Sequence, residues 1–378
     1  MFVALRDLRF ARGRFLLMSA VIVLITYLVV FLSSLTQGLA DDSTSAVTGL
    51  PADHLAFTEQ ADAAPAGPGG GPTFTGSQVT SDQWTAWSDV DGVTAAEPLG
   101  VATTRATSDA TTAGVTAFGV RPGSALVPAD ADHDDPGSAV EPGAVVLSAG
   151  AADALGAGVG DALAAGTLDL AVSAVLDSDA AYAHTPVVWT SLDDWQALGA
   201  HTAPGADAGT VATVVALRTD GTSDSALADA DRAIGTTTES LADSRSAISS
   251  YSSEHGSLLL MVAFLLGISA LVVGAFFSVW TVSRRGDVAV LKALGASTRY
   301  LLGDAIGQAL VILLIGVGVG TFLGAATAVL LSPVVPVAVS AATLLVPAAA
   351  LIVLGVVGAA LAIVQITRVD PHAALSAR

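Results

Sequence analysis

The sequence predicts an α-helical membrane protein with four transmembrane helices, arranged as one and then three, and an extracytoplasmic α+β domain inserted between helices one and two. Three observations carry this. Apolar residues make up 52% of 378 residues and charged ones only 13%, with a mean hydropathy of +0.67, which is more apolar surface than one globular core needs. That surface is gathered into uncharged runs long enough to cross a hydrocarbon layer of about 30 Å. The charges are segregated as well. Between Asp41 and Glu254 stand 30 acidic residues against five basic ones (Arg105, Arg121, Arg218, Arg232, Arg245), whereas the other ten basic residues flank the apolar runs.

Residues 1–14 form an N-terminal segment in which Phe2, Leu5 and Leu8 alternate with Arg6, Arg9 and Arg12. The spacing suits a helix lying in the inner interface, or a plain extension of the first span. The first span covers residues 15–39; its core, Phe15 to Leu35, is 21 residues without a charge. A signal peptide has an apolar core of only about 7–15 residues, so an uncleaved anchor is expected. The outer domain takes residues 40–256. Within it Ala61 to Pro72 is a loop by composition. Strand-like runs at Gly143–Leu147, Leu168–Leu176, Pro186–Thr190 and Thr210–Leu217 alternate with helical stretches at Ala149–Leu155 and Ser191–Leu198. From Asp224 to Ser253 the spacing of Ile234, Leu241, Ile248 and Tyr251 predicts a helical stalk feeding into the second span.

That second span covers 257–282, with Trp280 at an interface position, and a cytoplasmic segment follows at 283–300. Ala305 to Thr367 contains no Asp, Glu, Lys or Arg and is too long for one crossing, so two helices share it: 301–331 and 344–366, joined by an outer turn over 332–343 around Pro333 and Pro336, with a tail at 367–378. Gly316, Gly320 and Gly324, and Gly355 with Ala359, repeat small residues at a spacing of four. They predict a tight helix pair or an oligomer contact.

Arg6, Arg9, Arg12 and Arg14, then Arg284, Arg285, Lys292 and Arg299, then Arg368 and Arg378 fall on one side of a four-span chain. The excess of positive charge on cytoplasmic segments makes that side, with both termini, the cytoplasm. The acidic outer domain reads as a solvated surface unsuited to nucleic acid or anionic lipid. With no cysteine, thiolate chemistry and disulfides are excluded.

Catalytic patterns are missing. Lys292, the only lysine, follows no glycine-rich loop, so the phosphate-cradling G-x-x-x-x-G-K-[ST] pattern is impossible in this chain. There is no H-E-x-x-H or G-x-S-x-G, and His54, His133, His184, His201, His255 and His372 show no paired ligand spacing. Apart from Asp304 at the very start of the third, the spans lack the carboxylates of a proton- or sodium-coupled carrier. A non-catalytic subunit without a cofactor is therefore expected, its energy supplied by a partner.

Ser283-Arg284-Arg285-Gly286-Asp287-Val288-Ala289-Val290-Leu291-Lys292-Ala293-Leu294-Gly295-Ala296-Ser297 resembles the cytoplasmic segment of FtsX/MacB-type permeases of ABC transporters. The tail Arg368-Val369-Asp370-Pro371-His372-Ala373-Ala374-Leu375 resembles their C-terminal motif. Pro142–Leu147 with Ala154–Asp161 is similar to the core of a MacB-like outer domain. The resemblance implies that the segment docks on a separate ABC ATPase dimer through Arg284, Arg285, Val288, Leu291, Lys292, Leu294 and Gly295. A short helix with Val288, Leu291 and Leu294 on one side suits such docking.

The opening from Met1 to Leu17 and the stretch Leu32 to Ala40 are most similar to the haemin-exporting HrtB permeases and their DevC-like relatives. This implies a permease homodimer embedded in lipid, two ATPase subunits, and haem or another amphiphile as substrate. Met18, Tyr27, His255 and Met261, in or beside spans one and two, are candidate haem ligands, with core packing as the competing reading for each. Two other functions share this topology: an FtsX-type regulator that activates a cell-wall hydrolase, and a permease that extracts lipid or lipoprotein.

Overall fold

The computed structural model describes residues 12–58, 71–130, 135–199, 211–283 and 297–367. It divides into two compact units, Met1–Leu39 with Gly256–Arg378, and Ala40–His255. In chain order the described elements are α1 (Arg12–Thr48), β1 (His54–Phe57), β2 (Val79–Thr80), α2 (Ser81–Ser88), β3 (Val93–Thr107), β4 (Thr112–Val120), β5 (Ala144–Ser148), α3 (Ala149–Leu155), β6 (Ala162–Ala165), β7 (Leu168–Leu176), β8 (Ala181–Tyr182), β9 (Thr185–Ser191), α4 (Leu192–Ala197), β10 (Val211–Ala212), β11 (Val214–Thr219), α5 (Asp224–Ile234), β12 (Thr237–Ser240), α6 (Ser249–Ser283), α7 (Thr298–Leu331) and α8 (Ala341–Thr367).

Among the described residues four helices are long and apolar enough to cross a membrane, over Met18–Thr48, Ser249–Val279, Ile306–Leu331 and Ala341–Leu361. Large apolar side chains such as Phe264, Leu271, Phe322, Leu330 and Leu361 stand exposed on them, as expected where lipid is the solvent. Inside the bundle Met18, Ile22, Val29, Phe277, Ile312, Leu313 and Leu351 form a buried core. The glycine ridge of α7 faces α1. A Cβ at Gly316 would lie 2.7 Å from Ile22, and one at Gly320 would lie 2.6 Å from Thr26 and 2.7 Å from the Val23 carbonyl. Gly324 faces Val30, while Gly355 on α8 faces Leu313 on α7. Of the two roles predicted for these repeats, the structure realises the tight intrachain pairing. The outer turn begins where Val334 and Val335 donate to the Leu331 carbonyl, and Ala338 N donates to Ser34 O of α1. Helix α8 starts three residues before the predicted residue 344, because Ser340 and Thr343 cap each other.

The outer unit is built on a ten-stranded sheet in the order β12-β1-β11-β3-β4-β9-β5-β7-β6, with β8 on β9. Strand β6 also pairs with the far end of β3 through Ala106 and Thr107, so β3, β4, β9, β5, β7 and β6 close into a ring. Alternate residues serve opposite faces. Ala56, Val145 and Leu147 join Trp84, Trp87, Leu155 and Trp195 in one core, and Leu55, Phe57 and Val146 join Phe118, Trp189 and Ile248 in the other. The helices are capped as their sequence suggests. Ser148 accepts from Ala151 N, Ser191 from Asp194 N and Ser223 from Ala226 N.

Two expectations are corrected. The first helix does not stop at residue 39 but runs to Thr48, burying Ala46 and Val47 in the outer unit, because a lone interior glycine, Gly38, is tolerated in a helix and no proline comes before Pro51. The stalk predicted over Asp224–Ser253 is not one helix. It ends at Ile234, where Gly235 adopts a left-handed conformation with φ 79°, and the threonines that follow form β12 against β1, before a 3₁₀ turn at Asp243–Ala247 and the start of α6 at Ser249. Asp231 holds the reversal, accepting from Thr236 Oγ1 at 2.7 Å and from Thr238 N at 3.0 Å. A run of β-branched residues after a helix-ending glycine favours strand, which the heptad spacing of Ile234, Leu241 and Ile248 concealed.

Candidate functional site

The predicted ATPase-docking residues Arg284, Arg285, Val288, Leu291, Lys292, Leu294 and Gly295 lie outside the described residues. Helix α6 ends at Ser283 and α7 begins at Thr298, so this segment joins the two helices. Trp280 belongs to α6. The interfacial helix expected over residues 2–13 and the loop from Ala61 to Gly70 also fall outside the described residues, save that Arg12 and Gly13 open α1.

The four candidate haem ligands occupy different environments. Met18 is buried in the bundle core beside Ile22 and Val29. Tyr27 is half-buried and stacks on Phe31, with ring centroids 6.2 Å apart. Nine residues of helix separate Met18 from Tyr27, about 13 Å of rise, so the two cannot share one iron. Met261 is 56% exposed on α6. His255 is half-buried and stacked on Tyr251 at 4.7 Å, with the Arg245 guanidinium over the same tyrosine at 6.0 Å, and its Nδ1 is shut off from solvent without a partner. Among the described residues no group of three or more His, Cys, Asp or Glu side chains is placed to hold a metal ion.

One constellation has no sequence signal. Strands β8 and β9 form a hairpin whose two-residue loop is Ala183-His184, both with positive φ (48° and 63°). Such a turn normally takes Asn-Gly, because left-handed backbone strains other residues. Here α1 holds it. Ala183 N and His184 N donate to the carbonyls of Ser43 and Asp42, and Ser45 Oγ accepts from Ala181 N at 3.0 Å. The His184 ring then lies between two carboxylates, with Nδ1 2.8 Å from Asp42 on α1 and Nε2 2.9 Å from Glu254 on α6. Separations of 142 and 70 residues hide this cluster from any local pattern.

Four membrane-length helices among the described residues, with one large α/β domain inserted in the chain between the first and the second, define a membrane protein with an extracytoplasmic domain. Residues 15–233 match the MacB-like periplasmic core domain and residues 259–371 the FtsX-like permease C-terminal region. The chain belongs to this family of ABC-type permeases. It is similar to proteins named as hemin transport system permease HrtB: 28% identical over 141 residues to that of Staphylococcus epidermidis, covering 37% of this chain and 40% of that one. To that of Staphylococcus haemolyticus it is 30% identical over 132 residues, covering 34% and 36%. Each alignment thus spans less than half the length of the relative. Among solved structures it is similar to the extracellular domain of the noncanonic ABC-type transporter YknZ from Gram-positive bacteria (15% identity, TM-score 0.33, 50% of this chain and 98% of that one). The periplasmic region of MacB from Actinobacillus actinomycetemcomitans is also similar (12% identity, TM-score 0.34, 52% and 92%).

Proposed function

We propose that this chain is the membrane half of an ATP-driven exporter that expels haem or another amphiphilic small molecule, working as a homodimer with two copies of a separate ATPase. The observation that carries the reading is the joining of a MacB-like core and an FtsX-like C-terminal region in one chain whose relatives are named for hemin transport. Both termini lie in the cytoplasm and the domain near 40–256 outside, in keeping with the arginine segregation. Energy enters at the segment between α6 and α7, with Leu291 and Leu294 as apolar anchors and Arg284 and Arg285 at the lipid headgroups.

Deletion of the gene is expected to raise cell-associated haem and sensitise the host to haemin, with both effects reversed by complementation. Equal growth and equal haem content would turn attention to wall-hydrolase control or to lipid extraction. In the same background Leu291→Asp is expected to leave insertion and expression intact while abolishing co-purification with the ATPase, since a leucine buried at such a contact would contribute about 1.5–3 kcal/mol and the aspartate would bring a charge to be desolvated there. For orientation, an impermeant thiol reagent on intact cells should label Ser178→Cys and not Ser376→Cys; the chain has no cysteine of its own.

A further inference from the structure

The His184 cluster has a property that its geometry alone imposes. A neutral imidazole carries one N–H and one bare lone pair, so it can donate to one carboxylate only, and its other nitrogen would then face an anionic oxygen. Both ring nitrogens lie within 2.9 Å of a carboxylate oxygen, one on Asp42 and the other on Glu254. The arrangement is satisfied by imidazolium, which donates at both ends in two charge-assisted bonds. The side chains are partly open to water, at 28% for His184, 37% for Asp42 and 47% for Glu254, so protons exchange with the outside medium.

What the ring joins gives it consequence. Asp42 sits on α1 and Glu254 on α6, the two helices that run on into the first and second membrane spans. His184 belongs to the β8–β9 hairpin, whose strained Ala183-His184 loop is fastened to α1 by two backbone hydrogen bonds. Ser43 and Ser250 also bond between the two helices at 3.1 Å. Without the ring, a neutral hydroxyl pair remains there, together with two like-charged carboxylates.

We propose that His184 is a proton-operated latch in the outer domain, fastening α1 and α6 to the β8–β9 hairpin when the imidazole is protonated and, when it is neutral, loosening that hold to the backbone bonds that Ala183 and His184 make to α1. The latch is independent of which substrate the permease carries. Other charged or titratable groups stand nearby in the chain, namely Asp41 on α1, Asp179 before β8, Arg245 in the 3₁₀ turn before α6 and His255 on α6, but the carboxylates bonded to the ring are those of Asp42 and Glu254. Burial by itself would lower the pKa of His184; the hydrogen bonds and charges of Asp42 and Glu254 more than offset that and hold it above the ordinary 6.5. A raised pKa means that the fastening is fully present below pH 6.5 and is lost as the pH rises through the folded-state value. The latch is therefore closed in acidic surroundings and open in alkaline ones.

The test uses the full chain in lipid nanodiscs. Hydrogen exchange of the amides at 181–185, corrected for intrinsic chemical exchange, is expected to lose about tenfold in protection between pH 6 and pH 9, a change of ~1.4 kcal/mol. His184→Gln, which cannot titrate, is expected to show no such loss. In parallel, the carbon-13 ring signal of His184, identified by its absence from that variant, should titrate above 6.5. In Asp42→Asn with Glu254→Gln it should fall to 6.5 or below. A wild-type ring titrating at or below 6.5, protection that ignores pH, or the same pH dependence in His184→Gln would each overturn the proposal. The ring titration is read in the wild-type protein and stands even where a variant misfolds.

Discussion

Glycines allow close approaches in both regions of the molecule, but they admit different things. In the bundle, Gly316, Gly320 and Gly324 on α7 let the backbone and branched side chains of α1 come against the helix. In the outer domain, Gly100 and Gly119 on β3 and β4 leave room for one indole, that of Trp195, whose ring and Cβ would collide with any added Cβ. The solvents explain the difference. Lipid offers no hydrophobic drive to gather large side chains, so helices associate by close backbone packing and leave Phe322 and Leu330 outside. Water does offer it, and the outer domain buries Trp87, Trp189 and Trp195 almost completely.

Substitutions at these contacts can break that contrast. The largest effect is expected for Trp195→Ala, which empties the space between Gly100, Gly119 and α4 and should cost the outer domain about 3–5 kcal/mol, read as lost exchange protection in its strands with the bundle unchanged. Gly320→Leu should act in the reverse sense. Its Cβ would sit 2.6 Å from Thr26 and 2.7 Å from a backbone carbonyl, and a penalty of about 1–3 kcal/mol or more should appear as proteolysis within the spans while the outer sheet stays protected. Asp231→Ala should cost about 1–3 kcal/mol through the lost bonds to Thr236 and Thr238, fraying β12 while α5 persists. The smallest effect is expected for Phe322→Ala. This side chain is 70% exposed on α7, and its loss should stay within about 0.5 kcal/mol in nanodiscs; a larger loss would mean that a protein surface, rather than lipid, covers it.

The two regions also differed in how far they could be read from sequence. Each span announces itself, because crossing a membrane takes some 20 consecutive apolar residues and nothing outside the segment decides it. In the outer domain, strands β5, β7 and β9 and helices α3 and α4 were legible from strand-like runs alternating with alanine-rich helical stretches. Strand β3 was not. Val93–Thr107 is rich in alanine and threonine, contains Pro98 and shows no steady alternation, since parts of it are buried on both faces. The supposed stalk failed for a related reason: apolar residues at heptad intervals fit a helix, a strand and a 3₁₀ turn in succession once a glycine and three threonines intervene.

The predicted coupling residues from Arg284 to Gly295 rest on a contiguous motif and on the charge that a cytoplasmic loop carries. The His184 latch has no such trace. Its histidine looked like any other surface histidine until the hairpin loop was laid along α1 and Glu254 came up on the other side. The number of membrane-length helices follows from composition and short-range pattern, because membrane insertion acts on each segment by itself. The closure of the strand ring through Ala106 and Ala165, the choice of α1 as partner for the glycine ridge and the meeting of Asp42, His184 and Glu254 each join residues far apart in the chain. Only packing selects such pairs, since many pairings satisfy the local pattern equally and the differences among them arise when whole elements come together.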